Sequence, residues 1–135
     1  MKKSLLLLLA AIAGGVLYFL YLKGYLFVNF DNLSPREAYA LIRKEPTTAI
    51  LDVRTPQEYA QGHLPGAKLI PLQQIDRALG EGALASLQGK KIVVYCRSGM
   101  RSALASRKLA DHGLHPCNVR GGINAWRSEG LPIAR

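Results

Sequence analysis

Cysteine is scarce in this chain, with two in 135 residues, Cys96 and Cys117. They lie 21 positions apart, which is neither a CxxC pair nor a metal-ligand spacing. The three histidines, His63, His112 and His115, complete no metal motif, so no metal site is expected. Aromatic residues make up 7% and are not interleaved with the basic residues as a base-stacking set, which argues against nucleic acid as a partner. Acidic side chains are few, 9 against 18 Lys and Arg, and none occurs among the first 23 residues. The net charge of +9 fits an anionic membrane surface or anionic substrates instead.

A long apolar run is present at the start. Leu5 to Leu22 carries no charge, with Lys2 and Lys3 before it and Lys23 after it. As a helix it spans roughly 27 Å, close to a hydrocarbon core. Tyr18 and Tyr21 fall at its far end, where aromatic residues favour the interface. Ala11-Ile12-Ala13 matches a signal-peptidase pattern, but the apolar run continues well past it, so a retained single-pass anchor is expected over a cleaved leader. The amine, Lys2 and Lys3 against Lys23 place the N-terminus in the cytoplasm and the domain outside an inner (cytoplasmic) membrane, in the periplasm of a Gram-negative cell. Arg36, Arg43 and Lys44 act against that orientation. The expected division is residues 1–23 as a transmembrane signal anchor in the bilayer through residues 5–22, residues 24–33 as a connector with a short strand near Phe27-Val28-Asn29, and one domain over residues 34–135.

Within that domain the chemistry gathers in one loop, Cys96-Arg97-Ser98-Gly99-Met100-Arg101-Ser102. It follows the apolar strand pattern Lys91-Ile92-Val93-Val94-Tyr95 and precedes a helical stretch beginning at Ser102. Backbone N–H groups of such a turn and first helical turn lack intrahelical partners and can converge on an anion. A thiol placed there is favoured as thiolate, the reactive form. Arg97 and Arg101 add full charges for oxyanions. Cys96 is therefore the candidate nucleophile, with Arg97, Ser98, Gly99, Met100, Arg101 and Ser102 as candidate substrate-binding residues.

The remaining segments read as scaffold. Ser34, Pro35 and Glu37 spell a capped helix start, running to about Lys44. Thr48 to Val53 reads as a continuous buried strand, with Asp52 and Arg54 at its carboxyl end. Asp52 and Arg54, with Glu58, are expected to form a structural ion-pair group beside Cys96. His63 is expected to be held within a turn, Cys117 in the core, and Arg120, Arg127 and Arg135 in solvent. Leu72 to Gln88 reads as short helices broken at Gly80 and Gly82. Strands alternating with helices imply an α/β fold, a parallel sheet with helices on both faces.

Four segments, in this order, resemble the rhodanese family of sulfurtransferases: Leu51-Asp52-Val53-Arg54-Thr55-Pro56-Gln57-Glu58-Tyr59; Gly62-His63-Leu64-Pro65-Gly66-Ala67; Cys96 to Arg101; and Gly121-Gly122-Ile123-Asn124-Ala125-Trp126. The resemblance implies a rhodanese-like sheet and a persulfide on Cys96, loaded by thiosulfate or a persulfide donor and unloaded by cyanide or a thiol. No cofactor is implied. A phosphatase or arsenate reductase is the first alternative. Its loop, by resemblance, places five residues between cysteine and arginine, whereas four separate Cys96 from Arg101. A membrane-tethered binding module without turnover is the second.

Overall fold

The structure is a computed structural model of the full chain and describes every residue except Gly24 and Phe27. It opens with α1 (Lys2–Leu22), long and apolar enough to cross a membrane, none of whose residues is buried. Then come β1 (Asp31–Leu33), α2 (Pro35–Lys44), β2 (Ala49–Asp52), α3 (Pro56–Ala60) and β3 (Lys68–Leu69). After them follow α4 (Ile75–Gly80), β4 (Lys91–Tyr95), α5 (Met100–Asp111), β5 (His115–Val119) and α6 (Gly122–Ser128). Single 3₁₀ turns at Leu72–Gln74 and Ala85–Leu87 flank α4, so the segment expected to be broken near Gly80 and Gly82 is broken there.

The expected start of α2 is present in full: the Ser34 hydroxyl accepts from the Glu37 N–H, the Glu37 carboxylate accepts from the Ser34 N–H, and Pro35 occupies the first helical position. Thr55 and Glu58 repeat the arrangement at the start of α3. The first strand differs from expectation. It lies at Asp31–Leu33 rather than near Phe27-Val28-Asn29, of which Phe27 is outside the described residues. The polar Asp31-Asn32 pair hides this strand from a reading based on apolar runs; it is an edge strand, where polar side chains stay wet.

The five strands are parallel, in the order β1-β5-β4-β2-β3. The central β4 is apolar and buried from Ile92 to Tyr95 because both its faces are covered there. Ile92 and Val94 point to one side with Cys96, against Ala105 and Leu109 of α5 and Ile75 of α4. Val93 and Tyr95 point to the other, against Ala38 of α2 and Ile123 and Trp126 of α6. Each of these large side chains stabilises the fold by about 1.5–3 kcal/mol on burial. The sheet thus holds helices on both faces and delivers the chain, at the carboxyl edge of its middle strand, into Cys96.

Candidate functional site

The turn after β4 is built by Gly99, whose φ of +113° lies in the region that favours glycine. It brings the chain back over its own start, so that the Gly99 N–H donates to Cys96 Sγ at 3.0 Å. Ser102 Oγ lies 3.3 Å from the same sulfur and 3.2 Å from the Gly99 carbonyl oxygen. The first helical bond of α5 runs from the Ala103 N–H to the Gly99 carbonyl, which leaves the amides of Met100, Arg101 and Ser102 outside the helix's own ladder. The positive end of a twelve-residue helix therefore begins at the sulfur. Cys96 itself is buried, Arg97 and Ser98 are exposed, and Met100 is half-buried.

The outer side of the turn is anchored by α6. The Ile123 and Asn124 N–H groups donate to the carbonyls of Cys96, at 2.9 Å, and Arg97, at 3.2 Å. These bonds fix the first two peptide units of the loop. They require a residue at 122 without a side chain, because a Cβ there would lie 2.4 Å from the Cys96 oxygen and 2.6 Å from the Arg97 carbonyl carbon and oxygen. The Gly121-Gly122 pair, legible beforehand only as a tight turn, is thus the seat of the loop.

The two loop arginines have different surroundings. Arg101 is turned to Glu58, donating from both terminal nitrogens at 2.7 and 2.9 Å. Those bonds hold the Glu58 carboxyl down to about 2, against partial burial. Glu58 was expected with Asp52 and Arg54; the structure corrects this. Its capping role at Thr55 aims the carboxylate away from that pair and toward the loop. Asp52 and Arg54 do pair with each other, Arg54 Nη2 at 2.7 Å and Nε at 3.0 Å from the carboxylate, both side chains buried. Arg54 also donates to the Gly62 carbonyl, and the Tyr95 hydroxyl donates to Asp52 at 2.6 Å while accepting from the Leu64 N–H. Burial first, and the Asp52 carboxylate second, push the Tyr95 hydroxyl well above its ordinary range, so it stays protonated as the donor. This group ties β2, β4 and the Gly62 turn together, and none of its hydrogen bonds reaches the sulfur. His63 is held as expected: its Nδ1 lies 3.0 Å from the Tyr59 carbonyl oxygen and its ring stacks on Tyr59.

Arg97 lines a cleft of about 160 Å³ with Arg54, Glu58, Gln61, Asn124 and Arg127. Arg127 is exposed, as expected, and also lines this cleft beside the loop, which nothing in its local sequence signals. Two wider clefts, of about 570 and 580 Å³, hold none of the loop residues. Among the described residues, the group whose donor atoms could converge on a metal ion is Asp31, His115 and Cys117, all within 4.8 Å of one another. Asp31 opens β1 and His115 opens β5, while Cys117 is the middle residue of β5, level with Asp31 and with Val93 of β4, two strands and three residues away from the Cys96 loop. There His115 already pairs with Asp31 at 2.9 Å, and the Cys117 thiol is buried.

A family model described as the rhodanese-like domain matches residues 34–129. A protein named sulfurtransferase from Allochromatium vinosum is 41% identical over 85 residues, covering 62% of this chain and 76% of that protein. Some curated relatives are much longer, and the chain spans about a quarter of the length of a probable adenylyltransferase/sulfurtransferase from Mycobacterium tuberculosis, at 35% identity. Among solved structures, a rhodanese-like domain protein from Staphylococcus aureus superposes with a TM-score of 0.65 at 33% identity, covering 78% of this chain and all of that one. A protein of unknown function from Rhodopseudomonas palustris, described as a possible tyrosine phosphatase, superposes with a TM-score of 0.71 at 30% identity, covering 78% of this chain and 85% of that one. With the parallel sheet and a cysteine loop at the carboxyl end of its middle strand, the match over residues 34–129 leads to one conclusion: the chain belongs to the rhodanese-like domain family.

Proposed function

We propose that this chain is a sulfurtransferase that carries sulfane sulfur as a persulfide on Cys96. The observation that carries the reading is the Gly99 N–H donating to Sγ at 3.0 Å at the start of α5. In the first half-reaction the Cys96 thiolate attacks the outer sulfur of thiosulfate, or of a persulfide donor. The donor's S–S bond breaks and its electron pair leaves with sulfite, or with the donor thiolate. In the second, cyanide or a thiolate acceptor attacks the outer sulfur on Cys96, and the electron pair returns to Sγ. Neither half needs a metal or an organic cofactor.

Arg97 is the loop guanidinium left to meet the leaving sulfite, since Arg101 is occupied by Glu58. Arg101 serves to hold the loop closed. Loss of a stabilising donor at such a site typically lowers the rate by about 10² to 10³. The Asp52–Arg54 pair supports the scaffold and takes no part in the transfer.

The test is the mass of the purified full chain after incubation with thiosulfate. A gain of one sulfur, absent in Cys96→Ser, is expected; no gain would leave a binding module without turnover. A phosphatase reading draws on the Rhodopseudomonas palustris neighbour. The four residues between Cys96 and Arg101 make a small cradle, suited to one sulfur atom rather than a tetrahedral phosphate. Aryl phosphate hydrolysis at a rate comparable with thiosulfate-to-cyanide transfer would overturn the sulfurtransferase reading.

We further propose α1 as a retained single-pass anchor with the domain on the outer face of the cytoplasmic membrane. Its 21 residues span about 31 Å as a helix. Protease accessibility in spheroplasts, with the N-terminal mass of the purified chain, tests both orientation and retention.

A further inference from the structure

The end of α1 is fastened to the helix that starts at the reactive loop. Arg107, on α5, donates from Nη2 to the carbonyls of Tyr21 and Leu26. Its guanidinium carbon lies 4.0 Å from the centre of the Tyr21 ring and 5.7 Å from that of Phe30. The Tyr21 carbonyl is among the last of α1, which has no basic residue of its own in its last turn. Arg107 therefore supplies in trans the cation that a helix C-terminus favours. One step further along, Lys23 Nζ donates to the Ser98 carbonyl at 3.1 Å and lies 3.5 Å from the Ser98 hydroxyl oxygen. At the other end of α5, Asn29 Nδ2 donates to Asp111 at 2.8 Å. The chain leaving α1 is thus tied to α5 at three points: just before its first turn, two turns in, and at its last residue.

This fixes how far the loop stands from a membrane. Lys23 is the first charge after the run Leu5 to Leu22, so in a bilayer it sits where hydrocarbon gives way to headgroups. The headgroup layer on one side is about 5–8 Å thick. The Lys23 ammonium leans back over the Phe19 ring, 5.9 Å from its centre, so Ser98, one hydrogen bond from it, stands at the boundary between hydrocarbon and headgroups. Arg97 beside it is exposed, and with Lys23 it gives the loop a cationic face toward an anionic surface.

The geometry points to a reactive loop docked on the bilayer surface by the end of its own anchor, serving a sulfur acceptor that is a thiol presented from that surface. This rests on the sulfurtransferase reading and names its acceptor class. The step is Cys96 persulfide plus acceptor thiolate giving Cys96 thiolate plus acceptor persulfide, with no net oxidation.

The experiment uses the full chain in vesicles of phosphatidylcholine and phosphatidylglycerol. The chain is loaded from thiosulfate and offered either a lipid with a thiol headgroup or the same headgroup thiol free in solution. Confinement of both partners to one surface raises their effective concentration, so transfer to the lipid thiol is expected to be faster by about tenfold or more. Arg107→Gln leaves the anchor, and so the confinement, in place but frees the loop from the bilayer surface; it is expected to lower that preference several-fold while loading stays at the wild-type level. Equal rates for the two thiols, or a preference untouched by Arg107→Gln, overturns the proposal.

A second arm needs no turnover. A fluorophore on Ser98→Cys, in a Cys96→Ser, Cys117→Ser background, is read for quenching by nitroxide headgroup lipids. The same label on Lys90→Cys, exposed at the amino end of β4 and so at the opposite edge of the sheet, is the reference. Stronger quenching at 98 than at 90 is expected; equal or weaker quenching overturns the docking. Quenching at 98 without sulfur loading in the first arm keeps the docking and sinks the sulfurtransferase reading. A chain that fails to float with vesicles sinks the anchor, and the docking with it.

Discussion

Gly122→Ala is the substitution that tests the link between α6 and the loop most directly. The added Cβ would lie 2.4 Å from the Cys96 carbonyl oxygen. A carbon and a carbonyl oxygen in contact stand about 3.3–3.6 Å apart, so one backbone must retreat by roughly 1 Å. Residue 122 has a φ of +59°, which costs alanine about 1–2 kcal/mol. The bonds from the Ile123 and Asn124 amides would weaken together, at about 1 kcal/mol each. The expected loss of stability is about 3–4 kcal/mol, read from urea unfolding. A displacement of about 1 Å at a reacting centre can lower a rate by on the order of 10²-fold, read from the rate of sulfur loading by thiosulfate. Gly113→Ala is the control. Gly113 has a similar φ of +79° but nothing within 4 Å of an added Cβ, so it should show the backbone cost alone and load sulfur normally. If Gly122→Ala loses no more stability and no more rate than Gly113→Ala, the seat assigned to Gly122 is wrong.

Asp52→Ala leaves Arg54 buried without its counter-charge and should destabilise by about 3–5 kcal/mol in urea unfolding. Tyr95→Phe strands the Leu64 N–H and should cost about 1–3 kcal/mol, with sulfur loading per folded molecule unchanged. The pH dependence of the urea midpoint should carry the mark of Glu58. Its carboxyl is lowered from 4.5 to about 2 in the folded chain, so its stabilisation is complete above about pH 4.5 and is lost as pH falls toward 2. Glu58→Gln should therefore flatten that acid limb; an unchanged limb would mean that Arg101 does not hold Glu58 in solution. Burial, with Asp31 adding to it, pushes the Cys117 thiol up to about 11. In Cys96→Ser, Cys117 should accordingly resist alkylation at pH 8 in the native chain and react readily in urea. Equal rates in the two states would show it exposed.

The sequence by itself determined those features whose physical cause spans a few residues. The capped start of α2 follows from Ser34, Pro35 and Glu37, because an orphan amide and its acceptor are three positions apart. The buried character of β4 follows from an unbroken apolar run. The turn at Gly99 and the helix start beyond Cys96 are equally local, which is why the sulfur's surroundings could be read in advance. Asp52 and Arg54, two positions apart, pair as the sequence implied, but tertiary structure alone decided the partners of charges that meet across the chain. Glu58 had Arg54 four positions away and chose Arg101, 43 positions off, because capping Thr55 turned its carboxylate toward the loop. Gly122 acts on Cys96, Arg127 borders the cleft of Arg97, and Lys23 reaches Ser98 across 75 positions. Electrostatic and steric forces act through space, and distance along the chain carries no record of which groups the sheet will bring within 3 Å.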